Sequence, residues 1–232
     1  MKNFLFFTLF NVALVFAQTD SKKTESGDYR INAVGKFNPG SSGGWLPAGY
    51  MDTTIQGSPY LFDNWDGLFV IESKQNAKFK IHNLNYNITR RTLESKVSKD
   101  SVYQFDAVNI NNFKRGNDKY AFFNVNNEEQ LCHVVYASDK VTLIKAFKLE
   151  ITKQQVNPMT QEVLVKSKYV RKESYLIKNQ NNPFREIGLK KNAILKFMGD
   201  KSKQVEQFAS DSKLSFNSEK DLFSIFQYYN TL

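Results

Sequence analysis

Two stretches with apolar residues at every second position constrain this chain more than any other feature. Val141, Leu143, Phe147, Leu149 and Ile151 share one parity, and Val163, Val165, Tyr169, Tyr175 and Ile177 repeat it. A period of two turns one face of a strand toward a core. Between the stretches, Gln154–Thr160 with its Asn157-Pro158 step supplies turn chemistry, so the pair reads as one long hairpin. Lys148, Glu150, Lys166, Lys168 and Lys172 hold the other parity, as expected of an antiparallel sheet with one wet face.

The same alternation predicts strands at Gly67–Glu72, Ala77–Ile81, Leu84–Ile88, Ser101–Ile110, Lys119–Val125 and Leu131–Tyr136. The apolar parity flips between Phe79/Ile81 and Leu84/Tyr86/Ile88, which predicts a bulge or bend near His82-Asn83. At Asn179-Gln180-Asn181-Asn182-Pro183 the pattern stops and becomes helical. Lys190–Met198 ends at Gly199, and Gln204–Ala209 repeats the spacing with Val205 and Phe208. Ser218 with Asp221 resembles a capping box ahead of Leu222, Ile225, Phe226 and Tyr229. Strands first and helices last predict an α+β fold: a mainly antiparallel sheet, strongly curved or barrel-like, followed by C-terminal helices.

The first residues read as an address. Lys2 precedes an apolar run from Phe4 to Phe16, and Val15-Phe16-Ala17 leads into the polar Gln18-Thr19-Asp20. This is the three-part pattern of a secretory leader, and the run is shorter than the roughly 20 residues that span a bilayer. The expected organisation is a leader at 1–17, a flexible Gly/Pro-rich segment at 18–53, an antiparallel β domain at 54–187 and a helical segment at 188–232 packed on the sheet. The chain carries a formal charge of +9, of which +8 would remain after loss of Lys2. Export removes nucleic acid as the usual partner of such a charge, and the lysines do not interleave with aromatics as a nucleic-acid groove requires. Anionic envelope surfaces take its place, with peripheral rather than integral association.

Motifs for catalysis are missing. The sequence holds no G-x-S-x-G, H-E-x-x-H, G-x-x-x-x-G-K-[ST] or G-x-G-x-x-G pattern, and His82 and His133 stand apart from acidic or Cys neighbours at ligand spacing. One Cys and two His leave little for a metal centre, so neither cofactor nor metal is expected. Cys132 reads as a buried thiol on a strand face shared with Val134 and Tyr136. The candidate binding residues are Trp45, Tyr50, Tyr60, Asp63, Trp65 and Asp66, an aromatic and acidic group near most of the Gly and Pro. Exposed, they would make a platform for a partner protein or a sugar ring; buried, they would anchor a loop. Asp63-Asn64-Trp65-Asp66-Gly67 reads as a turn in preference to a glycosidase pair or a calcium loop.

Gly57-Ser58-Pro59-Tyr60-Leu61, Trp65-Asp66-Gly67, Leu84-Asn85-Tyr86-Asn87-Ile88 and Leu93-Glu94-Ser95-Lys96, with Tyr228-Tyr229-Asn230 near the end, together carry a resemblance. The order is similar to that of a loosely defined set of uncharacterised exported proteins of Bacteroidota. The resemblance implies export and an α+β fold, assigns no activity and carries over no functional residue. A helical end, in place of the terminal β-sandwich that such bacteria use as a sorting signal, is expected to go with retention in the periplasm or at the outer-membrane periphery. The leading expectation is therefore a non-enzymatic exported cell-envelope protein, a binding or accessory subunit of a periplasmic or outer-membrane assembly. The alternatives are a carbohydrate-binding module or weak glycan-acting enzyme using 45–66, and a structural domain that lends a sheet edge to an assembly.

Overall fold

The computed structural model describes residues 32–34, 43–46, 54–98, 101–180 and 182–232. The expected leader at 1–17, most of the segment 18–53 and Tyr50 lie outside the described residues. Among the described residues there are fifteen strands. The first eight are β1 (Asn32–Val34), β2 (Gly43–Leu46), β3 (Leu68–Ser73), β4 (Lys78–His82), β5 (Leu84–Asn87), β6 (Thr92–Lys96), β7 (Val102–Phe105) and β8 (Ile110–Arg115). Then come β9 (Asp118–Val125), β10 (Glu128–Ala137), β11 (Val141–Thr152), β12 (Gln155–Val156), β13 (Val163–Val165), β14 (Lys168–Asn179) and β15 (Arg185–Glu186). Helices α1 (Lys191–Met198), α2 (Ser202–Asp211) and α3 (Glu219–Thr231) follow.

The strands form a nine-stranded sheet in the order β1-β4-β3-β8-β9-β10-β11-β14-β15, a four-stranded sheet β2-β7-β6-β5, and the small pair β12-β13. The α+β reading holds, but the barrel-like expectation does not: the large sheet is open, with β1 and β15 at its edges. Its inner face is covered twice, by the four-stranded sheet at one end and by the helices at the other, so burial needs no closure. Phe69, Ile71, Phe113 and Leu131 pack against Leu84, Tyr86 and Leu93 of the smaller sheet. Val135, Leu143 and Ile177 pack against Ile194, Val205, Leu222, Ile225 and Phe226 of the helices.

The expected bend at His82-Asn83 is where the chain leaves one sheet for the other. Asn83 sits at φ 58°, a left-handed conformation that Asn tolerates better than most residues. The turn re-aims β5 so that all four of its residues are buried. The single strand expected over Ser101–Ile110 is broken for the same reason. The Asp106 carboxylate accepts from Val108 N–H at 3.0 Å and caps a 3-10 turn, which carries the chain from β7 back to β8 in the large sheet.

Cys132 is buried, as the alternation implies, yet it does not share a face with Tyr136. The β10–β11 register shifts between Val134 and Tyr136. Cys132 therefore packs with Val125, Ile144, Ala146 and Leu176 on the outer face, while Tyr136 stacks on Phe226 of α3, ring centroids 5.7 Å apart. Burial pushes the Cys132 thiol up to about 12, so it is inert at neutral pH. At α3, Ser218 Oγ accepts from Asp221 N–H at 3.4 Å, which is half of the anticipated box. The Asp221 carboxylate accepts instead from Ser215 N–H at 3.0 Å.

Phe226 is fully buried between α3 and the sheet. Phe226→Ala is expected to lower the free energy of unfolding by about 3–5 kcal/mol, measured by urea titration, because the helices cannot collapse onto the space it leaves.

Candidate functional site

The segment 54–66, where most of the sequence candidates lie, forms a strap across one end of the molecule. Gln56 bridges Lys168 at the start of β14: its N–H donates to Ser167 O and its carbonyl accepts from Tyr169 N–H, each at 2.9 Å. Four residues later, Tyr60 bridges Asn87, and Leu61 N–H donates to Tyr86 O at 2.9 Å, so the strap extends the edge of the smaller sheet at β5. The fully buried Asn85 amide clamps it. Asn85 Oδ1 accepts from Phe62 N–H at 3.0 Å, and Asn85 Nδ2 donates to Phe62 O at 2.9 Å. Arg171 Nη1 donates to Leu61 O at 2.6 Å from the β14 side.

The strap does not bring the sequence candidates together. Tyr60 is buried, and its hydroxyl donates to Glu94 Oε2 at 2.6 Å; Arg90 Nη2 and Thr92 Oγ1 donate to the other oxygen. Trp65, half-buried, packs edge-on against Tyr60 at 4.6 Å. Trp45 is 64% exposed on β2 and packs edge-on against Tyr103. β2, which carries Trp45, and β5, on which the strap lays Tyr60 and its neighbour Trp65, are opposite edges of the smaller sheet, three strand spacings of about 4.8 Å apart. Asp63 is exposed and pairs with Arg171 at 3.6 Å. Around Asp66 the contact is through the backbone: its carbonyl and Asn64 Oδ1 both accept from Arg115 Nη2. Gly67 stands at φ 134°, the unusual backbone expected of it, but residues 64–66 run as irregular backbone between two bends, and Asn64 meets Arg115 and not its own backbone.

Sequence reasoning passed over a polar seam between the two inner cores. Glu219, the first residue of α3, accepts from Lys145 Nζ at 2.7 Å and from Tyr175 Oη at 2.6 Å through Oε1. His133 Nδ1 lies 3.2 Å from Oε2, a short contact whose alignment falls short of a well-formed hydrogen bond. His133 foremost, with Lys145 and Tyr175, pulls the Glu219 carboxyl down to about 2 against the opposing effect of burial. Burial and the bond to Glu219 push the Tyr175 phenol up. Three strands and a helix supply these groups, and no local spacing could have connected them. The arrangement fastens the start of α3 to the sheet, where a carboxylate also suits the helix dipole.

The large sheet forks next to this seam. β10 pairs with β11 only from Cys132↔Ala146 onward to Ala137, although β11 runs to Thr152 in full register with β14. The Tyr86 hydroxyl enters the gap and accepts from Leu131 N–H at 3.4 Å. Between the limbs lies a cleft of about 490 Å³ lined by Tyr86, Arg91, Glu128, Phe147, Lys148 and Glu186, among others. Beyond the fork, β11 and β14 continue through β12 and β13 as a projecting two-stranded arm. Its turn is closed by Asn157 N–H donating to Glu162 O at 2.9 Å. Of the ten exposed large apolar residues among those described, six lie on this arm: Ile151, Val156, Met159, Val163, Leu164 and Val165.

Among the described residues, no group of three or more His, Cys, Asp or Glu could hold a metal ion, and no helix is long and apolar enough to cross a membrane. Compared with known proteins, the chain matches no family model, no curated protein and no solved structure.

Two measurements test the two fastenings. Glu219, lowered on folding, adds stability that is complete above about pH 4.5 and is lost as pH falls toward 2. Glu219→Gln is expected to cost about 1–2 kcal/mol at pH 7 and to flatten the loss of stability between pH 5 and 2, read by urea unfolding at each pH. Asn85→Ala strands both backbone groups of Phe62 and is expected to cost about 2–3 kcal/mol, with faster amide exchange along 59–63.

Proposed function

We propose that this chain is a non-enzymatic exported protein of the cell envelope that binds another envelope component through its arm. The observation that carries the reading is the arm itself. Apolar side chains that a folded domain normally buries or scatters are concentrated on one two-stranded projection. The strap supports the reading by its place: it hydrogen-bonds the root of the arm at Ser167 and Tyr169, which ties that root to the body. The leader-like first residues and the basic charge support an envelope location. The polar groups of the strap and the seam are engaged in holding elements together, which favours binding over chemistry. For a shared sugar platform the two tryptophans stand too far apart, so the glycan alternative draws no support from them.

Fractionation of cells that express the full-length chain tests this. The chain is expected in the envelope fraction, with Met159→Gln/Leu164→Gln shifting most of it to the soluble fraction. Recovery of the unaltered chain as a free soluble monomer would overturn the reading.

A further inference from the structure

Resting on that reading, we infer that the component met by the arm is the anionic headgroup surface of a lipid bilayer, into which the arm dips its tip.

The first ground is how the apolar groups are distributed. The β12–β13 register shifts by one residue, so Val163 opposite Val156 and Val165 opposite Gln155 point to opposite faces of the arm, with Leu164 between them; all three are exposed, at 50%, 50% and 64%. A partner that docks on one face of a two-stranded ribbon would cover one of Val163 and Val165 and leave the other in water. A lipid interface surrounds both faces at once.

The second ground is charge. Residues 148–172 hold Lys148, Lys153, Lys166, Lys168, Arg171 and Lys172 against Glu150 and Glu162. Lys148 and Lys172 are direct cross-strand partners, a like-charge pairing that is unfavourable without a counter-charge nearby. Lys148 leans toward Glu150 at 3.9 Å, whereas the ammonium groups of Lys153, Lys166, Lys168 and Lys172 form no ion pair with a described residue. These lysines ring the arm behind its apolar band, and anionic headgroups would complement them.

The third ground is length. Three strand steps separate Lys166 from Val163, and the turn adds a few more ångströms, so the front of the lysine ring stands about 15 Å behind the apex, with Lys168 and Lys172 farther back. With the ring at the phosphates, Val156 and Val163–Val165 meet the headgroup–acyl boundary. Pro158 and the 93%-exposed Met159 then reach about 5–10 Å below it, the usual depth of an interfacial element. Several of the polar groups carried down with them are already engaged. Asn157 Oδ1 accepts from Met159 N–H at 2.9 Å, Gln161 Nε2 donates to Pro158 O at 3.1 Å, and Thr160 Oγ1 donates to Glu162 Oε2 at 3.3 Å.

Vesicle binding tests the inference with the purified chain. Vesicles of phosphatidylethanolamine and phosphatidylglycerol (3:1) are compared with phosphatidylcholine alone by co-sedimentation. Selective binding to the anionic vesicles is expected, falling about fivefold for each of Lys153, Lys166 and Lys168 changed to Gln. It should also fall at least tenfold in Met159→Gln/Leu164→Gln, whose exposed positions leave the core intact. Met159→Cys labelled with an environment-sensitive dye should brighten on anionic vesicles, and the buried, inert Cys132 leaves the label specific. Absent binding, equal binding to both vesicles, or binding indifferent to the arm substitutions would overturn the inference. Envelope retention that depends on the arm without vesicle binding would point to a protein groove as the occupant and leave the broader reading standing. Loss of both would remove both.

Discussion

The twelve-residue antiparallel ladder between β11 and β14 is the member on which the rest of the structure depends. It runs unbroken from Val141↔Asn179 to Thr152↔Lys168. One end lies under the helices through Leu143 and Ile177, and the middle presents Lys145 and Tyr175 to α3. The other end outruns β10, opens the fork and continues as the arm. A ladder of backbone hydrogen bonds is stiff along its length, so it can carry an unsupported projection that a loop could not.

The two inner cores have different covers, and a polar seam divides them. Lys145 sits at a position whose neighbours on the same face, Leu143 and Phe147, belong to different cores. A half-buried lysine there is tolerable only because Glu219 meets it at 2.7 Å. The seam therefore fixes where α3 begins, and the position of the helices follows from it. At the opposite end, Asn85 and Glu94 play a comparable part. They are the buried polar groups that tie the strap to the smaller sheet, and each is fully engaged.

Much of the scaffold was legible because periodicity is a local consequence of burying one face. The alternation at 141–151 and 163–177 located β11 and β14, the parity flip located the crossing at Asn83, and Ser218 located the start of α3. β6 was not legible, since Thr92-Leu93-Glu94-Ser95-Lys96 hides Glu94 and Ser95 in the interior, where a polar residue reads as surface. Tyr60 looked like a binding residue because an aromatic beside Gly and Pro has the same local signature whether it faces a ligand or a buried carboxylate. The bulge between Val134 and Tyr136 is likewise silent in sequence, and it decides which face each residue joins.

Read alone, the sequence determined the element types, the antiparallel pairing of the longest strands and the helical end. These depend on patterns within a few residues of one another. Only the tertiary structure decided that the large sheet stays open, because two separate covers bury its inner face without closure. Only it decided that Tyr60, Asn85 and Glu94 hold a strap in place, that β10 leaves β11 at Cys132, and that the apolar residues beyond that point project uncovered. Those outcomes turn on contacts between segments distant in the chain, where burial is settled by what packs on top and not by the residue itself.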